Sequence, residues 1–168
     1  ILSENNNLYI QCRKGLMFAR IKDYINSDGK NVYLGTGDIF DRVPDEIKFS
    51  RNRSIHCSHK LSSLMFDFGY AVFDDYNKIL VTFNGKELDI LSNKNASKFF
   101  NKYFDFKGST YNPLKYLGEG VVLTYDRFNK NLHIICRNNS NTTYFNLSFN
   151  YGINNFLSFH DWIGDIHI

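Results

Sequence analysis

Two nine-residue stretches of this chain, 52 positions apart, are close copies of one another. Phe73-Asp74-Asp75-Tyr76-Asn77-Lys78-Ile79-Leu80-Val81 aligns without a gap on Tyr125-Asp126-Arg127-Phe128-Asn129-Lys130-Asn131-Leu132-His133. Four of the nine positions are identical, and two more exchange one aromatic for another. Each copy lies between apolar runs, so each reads as a strand, a tight polar turn and a second strand. A hairpin-based repeat of about 40–50 residues is the signature of a β-propeller blade or a related all-β array. Such a unit is a scaffold first, and function must be argued from what it carries.

Within the repeat, Asp74 and Asp126 can accept hydrogen bonds from turn N–H groups, and Asn77 and Asn129 tolerate the left-handed region. Lys78 and Lys130 then re-enter the strand. Calcium binding would need several more oxygen ligands nearby, and the spacing supplies none. The four residues therefore read as structural turns.

The rest of the chain follows the same style. Leu8 to Cys12 and Leu16 to Ile21 flank Arg13-Lys14-Gly15 as a hairpin. Residues 26–30 form the next turn, before a short strand from Asn31 to Leu34. Residues 41–63 are polar and irregular, and read as a long functional or interface loop. A first meander covers Leu64 to Phe68, Tyr70 to Phe73, Ile79 to Phe83 and Glu87 to Leu91. Its last link, Asn84-Gly85, predicts a type I′ turn with positive φ at both residues. Strand Ile79 to Phe83 is apolar on both faces, as a strand covered on two sides should be.

The period then changes. Ala96, Phe99, Phe100, Tyr103 and Phe104 recur at helical spacing, predicting one amphipathic helix over about residues 95–106. Ser92 or Asn93 would cap its start and Gly108 would follow its end. A second meander runs Val121 to Tyr125, Leu132 to Cys136, Tyr144 to Phe149 and Phe156 to Phe159. The expected fold is mainly β, with antiparallel meanders as β-propeller-like blades and one helix. Residues 1–168 are expected to form one β-rich domain or part-domain, a fragment of a larger chain.

Composition narrows the function. With 43% apolar residues, 16 Phe, 11 Tyr and only two prolines, the chain can build a packed core. The net charge of +3 is spread along the chain, without the clustered basic footprint of a nucleic-acid binder. Three cysteines without CxxC spacing do not make a disulfide framework and suit a reducing compartment. No apolar run is long enough for a membrane-spanning helix, so no membrane anchor is expected.

Other candidate chemistry is weaker. His56, Cys57 and His59 resemble part of a metal site, but zinc needs a second ligand group. Adjacent strand residues His160 and Asp161 point to opposite faces. Trp162 reads as a buried core anchor. Gly35-Thr36-Gly37-Asp38 lacks a phosphate-binding pattern. No catalytic residue, cofactor or metal ligand is assigned, and an enzyme is not expected.

The order of segments adds one more indication. It runs from Leu8-Tyr9-Ile10 and Gly15-Leu16-Met17-Phe18 through Leu34-Gly35-Thr36-Gly37-Asp38-Ile39-Phe40, with Pro44, Glu46 and Ile47. Phe68-Gly69-Tyr70, Asn84-Gly85-Lys86 and Phe99-Phe100-Asn101-Lys102-Tyr103-Phe104 continue it. Leu123-Thr124-Tyr125-Asp126-Arg127-Phe128-Asn129-Lys130, Leu147-Ser148-Phe149 and Phe156-Leu157-Ser158-Phe159-His160-Asp161-Trp162 close it. From about residue 8 to 163 this resembles the tail muzzle (nozzle) structural proteins of crAss-like short-tailed bacteriophages. Residues 50–63 depart from the Gly- and Gln-rich stretch of that family.

The resemblance implies a virion tail protein assembled in the bacterial host cytoplasm. It implies a homo-oligomeric, six-fold ring that contacts other phage tail proteins and closes the distal end of a short tail. DNA and cargo proteins would pass through it without sequence-specific binding. The competing expectations are a propeller-type glycan-binding or glycan-cleaving module, and a receptor-binding part of the virion.

Overall fold

The computed structural model describes residues 2–4, 7–20, 23–27, 30–34, 43–50, 53–59, 61–104, 119–138 and 143–160. Trp162, Gly108, Asp161 and Gly35 to Asp38 lie outside the described residues. The fold is mainly β, with antiparallel pairing throughout the described strands. It divides into two compact units, residues 1–55 and 56–168.

The first unit contains β1 (Leu2–Glu4), β2 (Asn7–Cys12), β3 (Gly15–Arg20), β4 (Asp23–Ser27), β5 (Lys30–Leu34), β6 (Asp45–Ser50) and β7 (Arg53–Ser54). The strands β1-β2-β3-β6-β7 form one sheet and β4-β5 a separate ribbon. The expected hairpin at Arg13-Lys14 is present, with Cys12 opposite Gly15. Tyr9 and Phe18 face each other across it, ring centroids 5.3 Å apart. Strands β6 and β7 correct the reading of 41–63 as a loop. Ile47 and Phe49 alternate with exposed Glu46 and Lys48, a period of two, and Leu16 pairs with Ile47.

The second unit holds the repeat. Strands β8 (Ser63–Phe66), β9 (Gly69–Asp74), β10 (Ile79–Phe83) and β11 (Leu88–Ile90) form one four-stranded meander. Strands β12 (Gly120–Asp126), β13 (Asn131–Asn138), β14 (Thr143–Asn150) and β15 (Asn155–His160) form the other. Alternate side chains from both sheets, among them Phe73, Leu80, Leu123, Ile134 and Phe149, share one core. Both faces of β10 are buried, through Leu80 and Thr82 on one side and Val81 and Phe83 on the other. A short segment ties the sheets together: Ser62 O accepts from Phe73 N at 2.8 Å, and Leu61 O from Leu123 N at 2.9 Å.

The helix is shorter than expected. It spans Ser97–Tyr103 (α1), preceded by a 3-10 turn over Leu91–Asn93. Its N-cap is Ala96, without a side-chain cap. Ser92 is instead buried in the 3-10 turn, where its carbonyl accepts from Ser97 Oγ at 3.1 Å. The aromatic stripe does pack as core: Phe100 and Phe104 are fully buried and stack with centroids 4.6 Å apart.

The two copies of the repeat occupy different places in their sheets. The first joins the second and third strands of its meander (β9–β10), whereas the second joins the first and second (β12–β13). They share a turn, displaced by one strand.

Candidate functional site: the repeated turns and their tips

Both repeated turns use the side chains that the sequence singles out. Asp74 Oδ1 accepts from Asn77 N at 2.7 Å and its Oδ2 from Asn77 Nδ2 at 2.8 Å. Asp126 Oδ1 accepts from Asn129 N at 3.1 Å and Phe128 N at 3.0 Å, and its Oδ2 from Asn129 Nδ2 at 2.6 Å. These bonds from Asn129 hold the Asp126 carboxyl below the usual carboxylate range.

The backbone differs from expectation in one respect. The left-handed residues are Lys78, with φ 55°, and Lys130, with φ 56°, not Asn77 and Asn129. Each Asn must instead keep both its backbone N–H and its carboxamide on the Asp, so the chain reverses at the next residue. Asn84-Gly85 also departs from a type I′ turn. Only Gly85 has positive φ, and the link runs over four residues, with Phe83 opposite Leu88. Asn84 Oδ1 captures Lys86 N at 2.9 Å and Glu87 N at 2.7 Å, an Asx turn that widens the loop.

A third turn, the link between β14 and β15, has the same frame. Asn150 Oδ1 accepts from Ile153 N at 3.0 Å, and Asn154 takes φ 54°. The signal was an Asx residue four positions before a left-handed one, shared by Asp74 and Lys78, Asp126 and Lys130, and Asn150 and Asn154. The second and third turns are joined: Asn150 Nδ2 donates to Asn129 O at 2.9 Å, and Tyr151 N to Lys130 O at 3.0 Å.

Asp74 carries an extra load. It is fully buried and its Oδ2 also accepts from His56 N at 2.9 Å, pinning the 56–59 segment. Asp75 Oδ1 accepts from Ser58 N at 2.9 Å, and His56 stacks on Tyr76 with centroids 4.9 Å apart. Asp74→Ala should therefore cost about 3 kcal/mol, because buried donors lose their acceptor, while Asp126→Ala, at the exposed turn, costs clearly less. Urea unfolding of the two variants checks this; equal losses would show that the His56 contact contributes nothing.

The metal-like trio is spent on local packing. Burial pushes the Cys57 thiol up, and its Sγ sits 3.2 Å from Ser62 Oγ, so it stays protonated and a poor nucleophile. Among the described residues, no three His, Cys, Asp or Glu side chains are grouped to hold a metal ion.

Two histidines give the second unit a pH dependence. Burial lowers the pKa of His59, and that of His133, whose Nδ1 lies 2.9 Å from Ser148 Oγ. Asp126 opposes the shift at His133 and His160 reinforces it. With the folded pKa below the unfolded value of about 6.5, the unfolded chain takes up protons first as pH falls. Stability should hold above that pH and decline below it. Urea midpoints at pH 7.5 and 5.5 test this, and His133→Gln should flatten the decline.

The tips of the turns face outward. Phe128 is 93% and Tyr76 75% exposed, at the same position of the two copies. Beside Phe128, Arg127 Nε meets Asp67 Oδ1 at 3.0 Å, and Phe68 stacks on Tyr151 with centroids 4.6 Å apart and planes 7° apart. With exposed Ile153, this end of the second unit is an aromatic surface flanked by an ion pair.

No protein-family model matches this chain, and comparison with the curated proteins finds no match. No helix among the described residues is long and apolar enough to cross a membrane.

Proposed function

We propose that this chain is a structural subunit of a short phage tail, in a six-fold ring that closes the distal end and gates release of DNA and ejected proteins. One observation carries the reading. The Asp and Asn side chains of the repeated turns are engaged within their own turns, while the tips beyond them present largely exposed aromatic rings. That division suits a rigid unit whose purpose is contact with other proteins. The ordered sequence resemblance to muzzle proteins supports it, and the two meanders would act as blade-like modules of the assembly. Neighbouring copies and other tail proteins are the partners, with no cofactor.

Labelling purified particles with an antibody against the chain, viewed by electron microscopy, tests the reading. Label at the tail tip, with cross-links between copies, is expected. A chain absent from particles and present only as a free protein would overturn it.

A second reading is favoured by the Phe68–Tyr151 stack beside the Arg127–Asp67 pair. An aromatic platform with polar groups at its rim is also what a glycan-binding module needs. Glycan-array binding that is lost on Tyr151→Ala would support that reading, and an array without hits would end it.

A further inference from the structure

The two copies of the turn are opposite in charge and lie at opposite ends of the second unit. The first turn, 74–78, holds two carboxylates and one ammonium group, and its tip is Asp75-Tyr76. The second, 126–130, holds one carboxylate and two cations, and its tip is Arg127-Phe128. Strand β9 fixes their separation. The turn before it supplies Asp67 and Phe68, which bind Arg127 and Tyr151 at the basic end. The turn after it is the acidic tip itself. The six residues of β9 hold the tips about 20 Å apart.

Both tips reach the surface, although Asp75 is half-buried and one of its carboxylate oxygens accepts from Ser58 N, whereas Arg127 is exposed. Arg127 is 81% exposed at its side chain, and its Asp67 partner is itself solvent-facing. Such an exposed pair is weak and exchangeable. Tyr76 lies flat on His56 beside Asp75, with most of its surface bare. One copy therefore ends in an anion and an exposed aromatic ring, and the other end carries a cation and an exposed aromatic ring on the same backbone frame.

We infer that copies of this chain associate head to tail, the Arg127-Phe128 tip of one against the Asp75-Tyr76 tip of the next. The contact is heterologous: it uses two different patches, so it propagates from copy to copy and closes into a ring when the rotation per copy permits. This rests on the proposed reading of the chain as a ring subunit, and names the surfaces that would make the ring. Opposite charges set direction and exclude like ends, since juxtaposed like charges oppose docking. The aromatic rings supply the buried area.

Charge exchange tests it on the full chain by sedimentation velocity over a concentration series. Asp75→Arg leaves two basic ends and Arg127→Asp two acidic ends, so each alone should weaken association about ten-fold or more. An equimolar mixture of the two single variants should regain association, because each retains the half that the other lacks. The double variant, with both ends exchanged, should associate with itself. Circular dichroism and melting of each variant separate lost contact from lost fold, and recovery in the mixture would not follow from misfolding. Single variants that associate like the unchanged chain, or a mixture no better than its components, would overturn the inference. So would an unchanged chain that stays monomeric throughout. Particle labelling is independent: label at the tail tip with association indifferent to both charges would sink this contact and leave the ring reading standing.

Discussion

Replacing Phe100 by alanine is expected to cost the second unit about 3–5 kcal/mol, read as a lower urea midpoint with the slope unchanged. Phe100 is fully buried at the centre of an aromatic cluster. It stacks on Phe104 at 4.6 Å and approaches Phe156 at 5.8 Å and Phe73 at 6.1 Å. These rings come from the helix and from both sheets, so no single element can move to fill the void without disturbing another. The loss is a large share of the stability of a typical domain, about 5–15 kcal/mol. Phe100→Leu keeps most of the volume and should remain folded with a smaller loss. Phe99→Ala removes a partly buried ring and should cost less than Phe100→Ala. An equal cost at the two positions would show that the core does not centre on Phe100.

Gly69→Ala should be nearly as damaging, for a different reason. Gly69 opens β9 with φ 119°, a conformation that side chains rarely adopt. A Cβ there would lie 2.5 Å from Phe83 O and 2.8 Å from Asn84 Cα. Both obstacles are backbone, at the last residue of β10 and the one after it, so relief requires the end of the β9–β10 ladder to part. Strain of this kind costs about 1–3 kcal/mol, and the collision adds to it. Loss of amide protection at Phe83 and Tyr70, in hydrogen exchange, would locate the damage. A variant as stable as the unchanged chain would mean that this ladder gives way more easily than the geometry requires. Gly152→Ala, at an exposed turn where a Cβ meets only Asn150 Oδ1 at 3.0 Å, is the control.

The physics of single strands was legible in the residues. Alternation and apolar runs located both meanders, and the Asp–Asn spacing located the two turns, because those signals act within a few residues. What escaped depended on competition between neighbours. Asn77 and Asn129 prefer the left-handed region as isolated residues, yet the carboxylate three positions earlier claims them and passes that geometry to Lys78 and Lys130. Asn84 likewise prefers to cap the backbone beyond it over completing a two-residue turn with Gly85. The helix starts at Ser97 rather than about residue 95 because Asn95 takes φ 64°, outside the helical region, as the chain leaves the 3-10 turn. Strand β6 was hidden by its charged residues, although only Ile47 and Phe49 matter for the face that packs. The tips of the turns, which carry the candidate contact surface, followed from the turns themselves. Their placement at opposite ends did not, because it depends on which strand each turn joins.

The meanders also decide how quickly this chain can find its fold. Every described strand of the second unit pairs with an immediate neighbour in sequence, β8 through β11 and β12 through β15. Loops to be closed are therefore short, and little chain entropy is lost before each pairing is rewarded. A sheet of this kind forms faster than one of equal size built from distant strands. Each meander can assemble as its last strand leaves the ribosome, with the helix residues between them emerging in time to cover the first sheet. Exposed apolar edges would then be short-lived, which limits misassociation while the chain folds.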